Sequence, residues 1–143
     1  MDLFAAQTRT VLVVDPSPTE RDLIQSILQK EHFHIIFADD TSSILASIAA
    51  YHPHLILLSI HQLAHVDGYH ICQIIRKQPH LTRLPVILFG KPKAPSSYVS
   101  ISGLAGPTDL LIARGRLAGS TDFLVKPFDT HQLVQMVKKH IPA

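Results

Sequence analysis

Short apolar runs alternate with stretches of helical spacing along almost the whole chain, and this alternation predicts its elements. Val11-Leu12-Val13-Val14 is a continuous, β-branched run bounded by Asp15-Pro16, the pattern of a strand buried on both faces. Ser17-Pro18-Thr19-Glu20 follows. Ser17 is placed to cap a helix, Pro18 to take its first position, and Glu20 to complete a capping box. Leu23, Ile24, Ile27 and Leu28 then share one helical face. Phe33 to Ala38 predicts a second strand, and Asp39-Asp40 caps a helix carrying Ile44, Leu45 and Ile48 that stops before Pro53.

Leu55-Ile56-Leu57-Leu58 predicts a third buried strand that delivers Ser59 at its carboxyl end. A loop from Ile60 to Asp67 leads through Gly68 into a helix with Ile71, Cys72, Ile74 and Ile75 inward, ended by Pro79. Pro85 to Phe89 predicts the fourth strand. Gly90 to Pro107, rich in proline and glycine, has no period and predicts a long loop or insert. Asp109 to Ala118 resumes as helix, Phe123-Leu124-Val125 is the fifth strand, and Asp129 to Gln132 is a capping box opening a last helix. Five βα units predict an α/β fold with a parallel sheet and helices on both faces. One domain spans 1–143, with residues 1–9 as a tail and 90–107 as an insert between strand 4 and helix 4.

Composition narrows the classes. With 46% hydrophobic residues the 143-residue chain can bury an ordinary core. No run reaches the roughly 18 apolar residues of a membrane span, and the N-terminus lacks a signal-peptide pattern. A cytoplasmic location is expected. A net charge of +2, with Lys and Arg dispersed, argues against a nucleic-acid partner. The lone Cys72 sits in an apolar helical stretch and reads as a buried thiol.

Several strings, in order and correctly spaced, resemble the receiver domain of two-component response regulators over residues 10–141. They are Val11 to Asp15; Leu55 to Ser59 with an eight-residue step to Asp67-Gly68-Tyr69; and Arg116 to Phe128, which contains Lys126-Pro127. The resemblance implies a flavodoxin-like doubly wound sheet of strand order 2-1-3-4-5, with its site at the carboxyl ends of the strands. Asp15, Pro16, Ser59, Gly90 and Lys126 are then expected in one pocket.

In this family two adjacent acids after strand 1 hold Mg²⁺ together with a phospho-accepting aspartate, while a Thr or Ser hydroxyl and a lysine contact the phosphoryl group. Here Asp15 keeps the first acid and Lys126 the lysine. Pro16 replaces the second acid, Ser59 the acceptor and Gly90 the hydroxyl. One carboxylate should hold Mg²⁺ weakly or not at all, because that ion demands a full octahedron of oxygens. A serine hydroxyl is a weak nucleophile without an activating base. The expected arrangement is a degenerate phosphorylation pocket: an Asp15–Lys126 pair, hydrogen-bonded with Ser59, locked in one state, with no catalytic residue and no cofactor.

Other residues have plainer readings. Lys126-Pro127, whose peptide bond is usually cis in the family, serves the turn after strand 5 as readily as any residual function. Phe123 matches the family's switch-like aromatic, with core packing as the alternative, and Asp67 serves its loop. His52 and His54 flank Pro53, and His61 and His65 lie four apart; neither set has the thiolate or carboxylate company of a metal site, so no metal is expected.

The function expected is that of an atypical, non-phosphorylatable receiver, not an enzyme, acting through protein–protein contact. Its partner would be a kinase, another regulator or a signalling assembly, met through the helix 4–strand 5–helix 5 face and the 90–107 segment; a homodimer stays open. The chain ends just after the last helix, so no output domain is expected. Arg114 to Gly119 most resembles receivers of bacterial, notably cyanobacterial, motility and developmental regulators. The alternatives are a phosphorelay receiver with a different acceptor and a small-molecule sensor.

Overall fold

The computed structural model describes residues 8–61, 67–91 and 107–141. The apolar runs form strands β1 (Arg9–Val14), β2 (Phe33–Phe37), β3 (Leu55–Ser59), β4 (Val86–Gly90) and β5 (Asp122–Val125). The helical stretches form α1 (Pro18–Lys30), α2 (Thr41–Tyr51), α3 (Gly68–Arg76), α4 (Pro107–Ala118) and α5 (Thr130–His140), with a 3-10 turn at Pro79–Leu81. All strand pairs are parallel and the order is β2-β1-β3-β4-β5, a flavodoxin-like α/β sheet.

Alternate residues of each strand face opposite layers, as the pleat requires. Val11, Val13, Leu57, Phe89 and Leu124 pack with Ile24 and Leu28 of α1 and Leu133 and Val137 of α5. Leu12, Val14, Leu58, Leu88 and Phe123 pack with Ile44 of α2, Ile71 and Cys72 of α3 and Ala118 of α4. The apolar residues of β3 and β4 are buried on both faces, so each contributes about 1.5–3 kcal/mol of transfer free energy.

Most strand ends move by one or two residues from those predicted, and three boundary shifts bear on the tail and the insert. β1 begins at Arg9, which pairs with Phe33, so the predicted 1–9 tail gives its last residue to the sheet. Gly90 belongs to β4 because its carbonyl accepts from Lys126 N at 2.8 Å and it pairs with Val125. At the other end of the predicted insert, α4 starts at Pro107, a residue suited to the first helical turn. The interior of the 90–107 segment, from 92 to 106, lies outside the described residues.

Caps fix the helix starts. Asp40 and Ser43 form a reciprocal capping box on α2, and Asp129 and Gln132 form one on α5. The box predicted for α1 is only half made: Ser17 Oγ accepts from Glu20 N at 3.3 Å, but Ser17 N donates to Asp15 Oδ1 at 2.8 Å. Asp15 takes the donor that Glu20 would have capped, and the Glu20 carboxylate is released for another partner. At the far end of α3, the Arg76 guanidinium donates to Gly119 O (2.7 Å), Leu81 O (2.8 Å) and Thr121 Oγ1 (3.1 Å). Gly119 has φ +97°, and a Cβ there would stand 2.7 Å from Arg76 Cγ, so the turn into β5 needs glycine on both counts.

Candidate functional site

β1, β3, β4 and β5 end at the same edge of the sheet, and the chain just beyond them builds the site. Asp15, directly after β1, folds back on Ser17 N through Oδ1 in an Asx-type turn. That turn aims Oδ2 inward, where it is buried and makes no hydrogen bond. Its nearest described cation is Lys126, whose Nζ lies 3.7 Å away and also 3.6 Å from Glu20 Oε1. The ammonium stands 4.9 Å from the centroid of the Phe89 ring as well. Lys126 follows β5 and precedes a cis Lys126–Pro127 bond. Side-chain exposures of 1% for Asp15 and 14% for Lys126 put this pair largely out of water, where charges interact more strongly.

Ser59 is the last residue of β3 and fully buried. Its Oγ accepts from His61 N at 3.1 Å, closing the strand end on itself. The expected hydrogen bond from Ser59 to the Asp15–Lys126 pair does not form; the hydroxyl is turned to its own loop instead. Gly68, opening α3, packs so closely that a Cβ would lie 2.1 Å from Ser59 O. Pro16 is exposed and presents no ligand. Opposite Ser59, a Cβ on Gly90 would lie 2.2 Å from Ile60 Cγ1, so Ile60 fills the space in front of Gly90 with hydrocarbon.

Asp15, Lys126, Ser59 and Gly90 are thus gathered at one edge, with Pro16 at its rim. Sequence reasoning missed two contributors. Glu20 carried two signals, a capping position and a place on the first turn of α1 five residues after Asp15, and the first masked the second. Ile60 carried no signal, because its role depends on which strand end it faces. Beside the ion cluster a cavity of about 300 Å³ is lined by Glu20, Leu23, Lys91, Lys126, Pro127 and Phe128.

The remaining candidates are placed as follows. Phe123 is buried, against a Gly115 whose missing side chain lets α4 close on β5. Asp67 caps α3 through His70 N (2.9 Å) and pairs with Arg114 at 3.3 Å, while the Arg114 guanidinium lies 4.2 Å over the Tyr69 ring. Burial pushes the Tyr69 hydroxyl upward, with Arg114 opposing. Burial likewise raises the Cys72 thiol to about 11, so it is inert at neutral pH, as its apolar setting predicted. His52 ends α2 in the left-handed region, and His54 Nδ1 accepts from Thr10 N. Among the described residues no cluster of three or more His, Cys, Asp or Glu could hold a metal; His65 lies outside them.

A five-stranded parallel sheet of this order, with an acid after β1 and a lysine before a cis proline after β5, defines the receiver class of signalling domain. Residues 11–138 match the response regulator receiver domain, and the chain belongs to that family. It is 32% identical over 133 residues to protein PilG of Pseudomonas aeruginosa, covering 93% of this chain and 87% of PilG. To the signal transduction histidine-protein kinase BarA of Escherichia coli it is 27% identical over 134 residues, 94% of this chain but 13% of BarA. The receiver domain of NtrX from Brucella abortus superposes with a TM-score of 0.73 at 28% identity, covering 92% of this chain and 97% of that one. The chain therefore spans most of PilG and a small part of the kinase. Its domain is one of two-component signal transduction. Among the described residues no helix is long and apolar enough to cross a membrane.

Proposed function

We propose that this receiver is not phosphorylated and signals by protein–protein contact alone. One observation carries the reading: the Lys126 ammonium sits between Asp15 and Glu20, where an active receiver needs room for a divalent cation and a phosphoryl group. The donor set does not fit Mg²⁺. Pro16 and Ser59 supply no carboxylate, and the two that are present, Asp15 and Glu20, both face the Lys126 ammonium, at 3.7 and 3.6 Å. Without an aspartate at position 59 there is no carboxylate to form an acyl phosphate. Gly90, covered by Ile60, offers no hydroxyl to respond to one.

With the pocket filled by the chain's own groups, function moves to the surface. The partner is another cytoplasmic signalling protein, a kinase or regulator, met through the α4–β5–α5 face and the 90–107 segment. Incubating the protein with acetyl phosphate and MgCl₂ and weighing it intact tests the reading. An unchanged mass supports it; one added phosphate on the chain overturns it. Calorimetric titration with MgCl₂ should show no saturable heat.

A further inference from the structure

At the opposite end of the sheet, a cleft opens between the last turn of α4, the start of β5 and the end of α5. Its volume is about 240 Å³, and Arg116, Ser120, Asp122, Lys139 and His140 line it over an apolar floor of Ile112 and Phe123. We propose that this cleft binds a single oxyanion group, a carboxylate or a phosphate. It is separate from the Asp15–Lys126 pocket and does not depend on how that pocket is read.

The charges in the cleft are not balanced from within. Asp122 is the one acid among the described residues of the lining, and both its oxygens are already engaged. Oδ1 accepts from Phe123 N at 2.9 Å, and Oδ2 is 2.9 Å from His140 Nε2 and 3.4 Å from Lys139 Nζ. Arg116 is different. It is exposed, and while its carbonyl accepts from Gly119 N, its guanidinium makes no hydrogen bond or ion pair with any described residue. Its guanidinium is a planar fork suited to two parallel bonds to one oxyanion. Ser120 Oγ, in the same lining, also makes no described hydrogen bond. Two full positive charges, Arg116 and Lys139, therefore face one carboxylate whose Oδ2 is already met by His140 Nε2. The space holds one small anionic group, with the donors around it and hydrocarbon beneath.

The test follows backbone amide shifts of the full chain by NMR during titration with inorganic phosphate and, separately, with glutarate. Saturable shifts at Ser120, Thr121 and His140 are expected, with affinity weakened about tenfold or more in Arg116→Gln, as loss of a charge-assisted pair implies. Arg116 is exposed, so the variant should fold, and Arg116→Lys should recover part of the affinity. Tighter phosphate binding would assign the site to a phosphoryl group, and tighter glutarate binding to a carboxylate such as an acidic side chain. Shifts that do not saturate with either anion, or that saturate equally in Arg116→Gln, overturn the proposal.

Discussion

Ile60 stands where a side chain on Gly90 would have to go, with Cγ1 2.2 Å and Cδ1 2.4 Å from the position of a Cβ. The residue after the would-be acceptor thus blocks the residue that would sense it. Gly90→Thr should destabilise the fold by about 1–3 kcal/mol through overpacking, read by urea denaturation. In combination with Ile60→Ala the penalty of the threonine should shrink, giving a clear coupling in a double-mutant cycle. Strictly additive effects would show that the contact is relieved elsewhere.

The Asp15–Lys126 pair makes a second prediction. Lys126→Met removes the cation nearest a carboxylate that is 1% exposed, and should cost about 3 kcal/mol in unfolding free energy. Adding Asp15→Asn should return part of that loss, since the uncompensated charge is gone while an amide oxygen can still accept from Ser17 N. A double variant less stable than either single one would contradict the pairing.

Asp122 gives a pH dependence. Burial raises its pKa, but the bonds from His140, Phe123 N and Lys139 together outweigh that, and the folded value falls below the ordinary 3.8. A depressed folded value means that the stabilisation is full above about pH 4 and is lost as pH falls through the folded value. Asp122→Asn should therefore lower the melting temperature at neutral pH and flatten its decline in acid. A variant whose acid decline matches the parent's would assign that decline to other carboxylates.

Arg76 ties α3 to the turn before β5. Arg76→Met should remove the donors of Gly119 O and Leu81 O and cost about 1–2 kcal/mol, a typical effect of leaving part-buried acceptors unmade. Hydrogen exchange should speed up first at Gly119, Ser120 and Thr121. Uniform acceleration over the whole chain would mean that the tie is not local.

The fold was readable because its signals are local. Continuous runs such as Leu55–Leu58 admit little besides a strand buried on both faces, and Asp40 and Asp129 announce their helices through caps. The order of the sheet came with the family resemblance. The site was half readable. Asp15 and Lys126 could be brought together by topology, since both follow strands ending at one edge. The partner of Glu20 could not, because the helix-start pattern Ser-x-x-Glu gives the same letters whether the carboxylate turns back to the cap or out to a lysine. Nor could Ser59's choice of His61 N, which depends on the curl of the loop after β3. Ile60 was invisible for a simpler reason: an isoleucine in a loop says nothing about what it covers.

A cation captured from solution comes and goes, and its occupancy follows the supply. The ammonium between Asp15 and Glu20 is carried by the chain itself. Its local concentration is set by a few covalent bonds, so it cannot be diluted or chelated away. On the proposed reading, the pocket is thereby made indifferent to the ionic weather of its surroundings, and what it presents to the rest of the molecule does not follow the supply of metal.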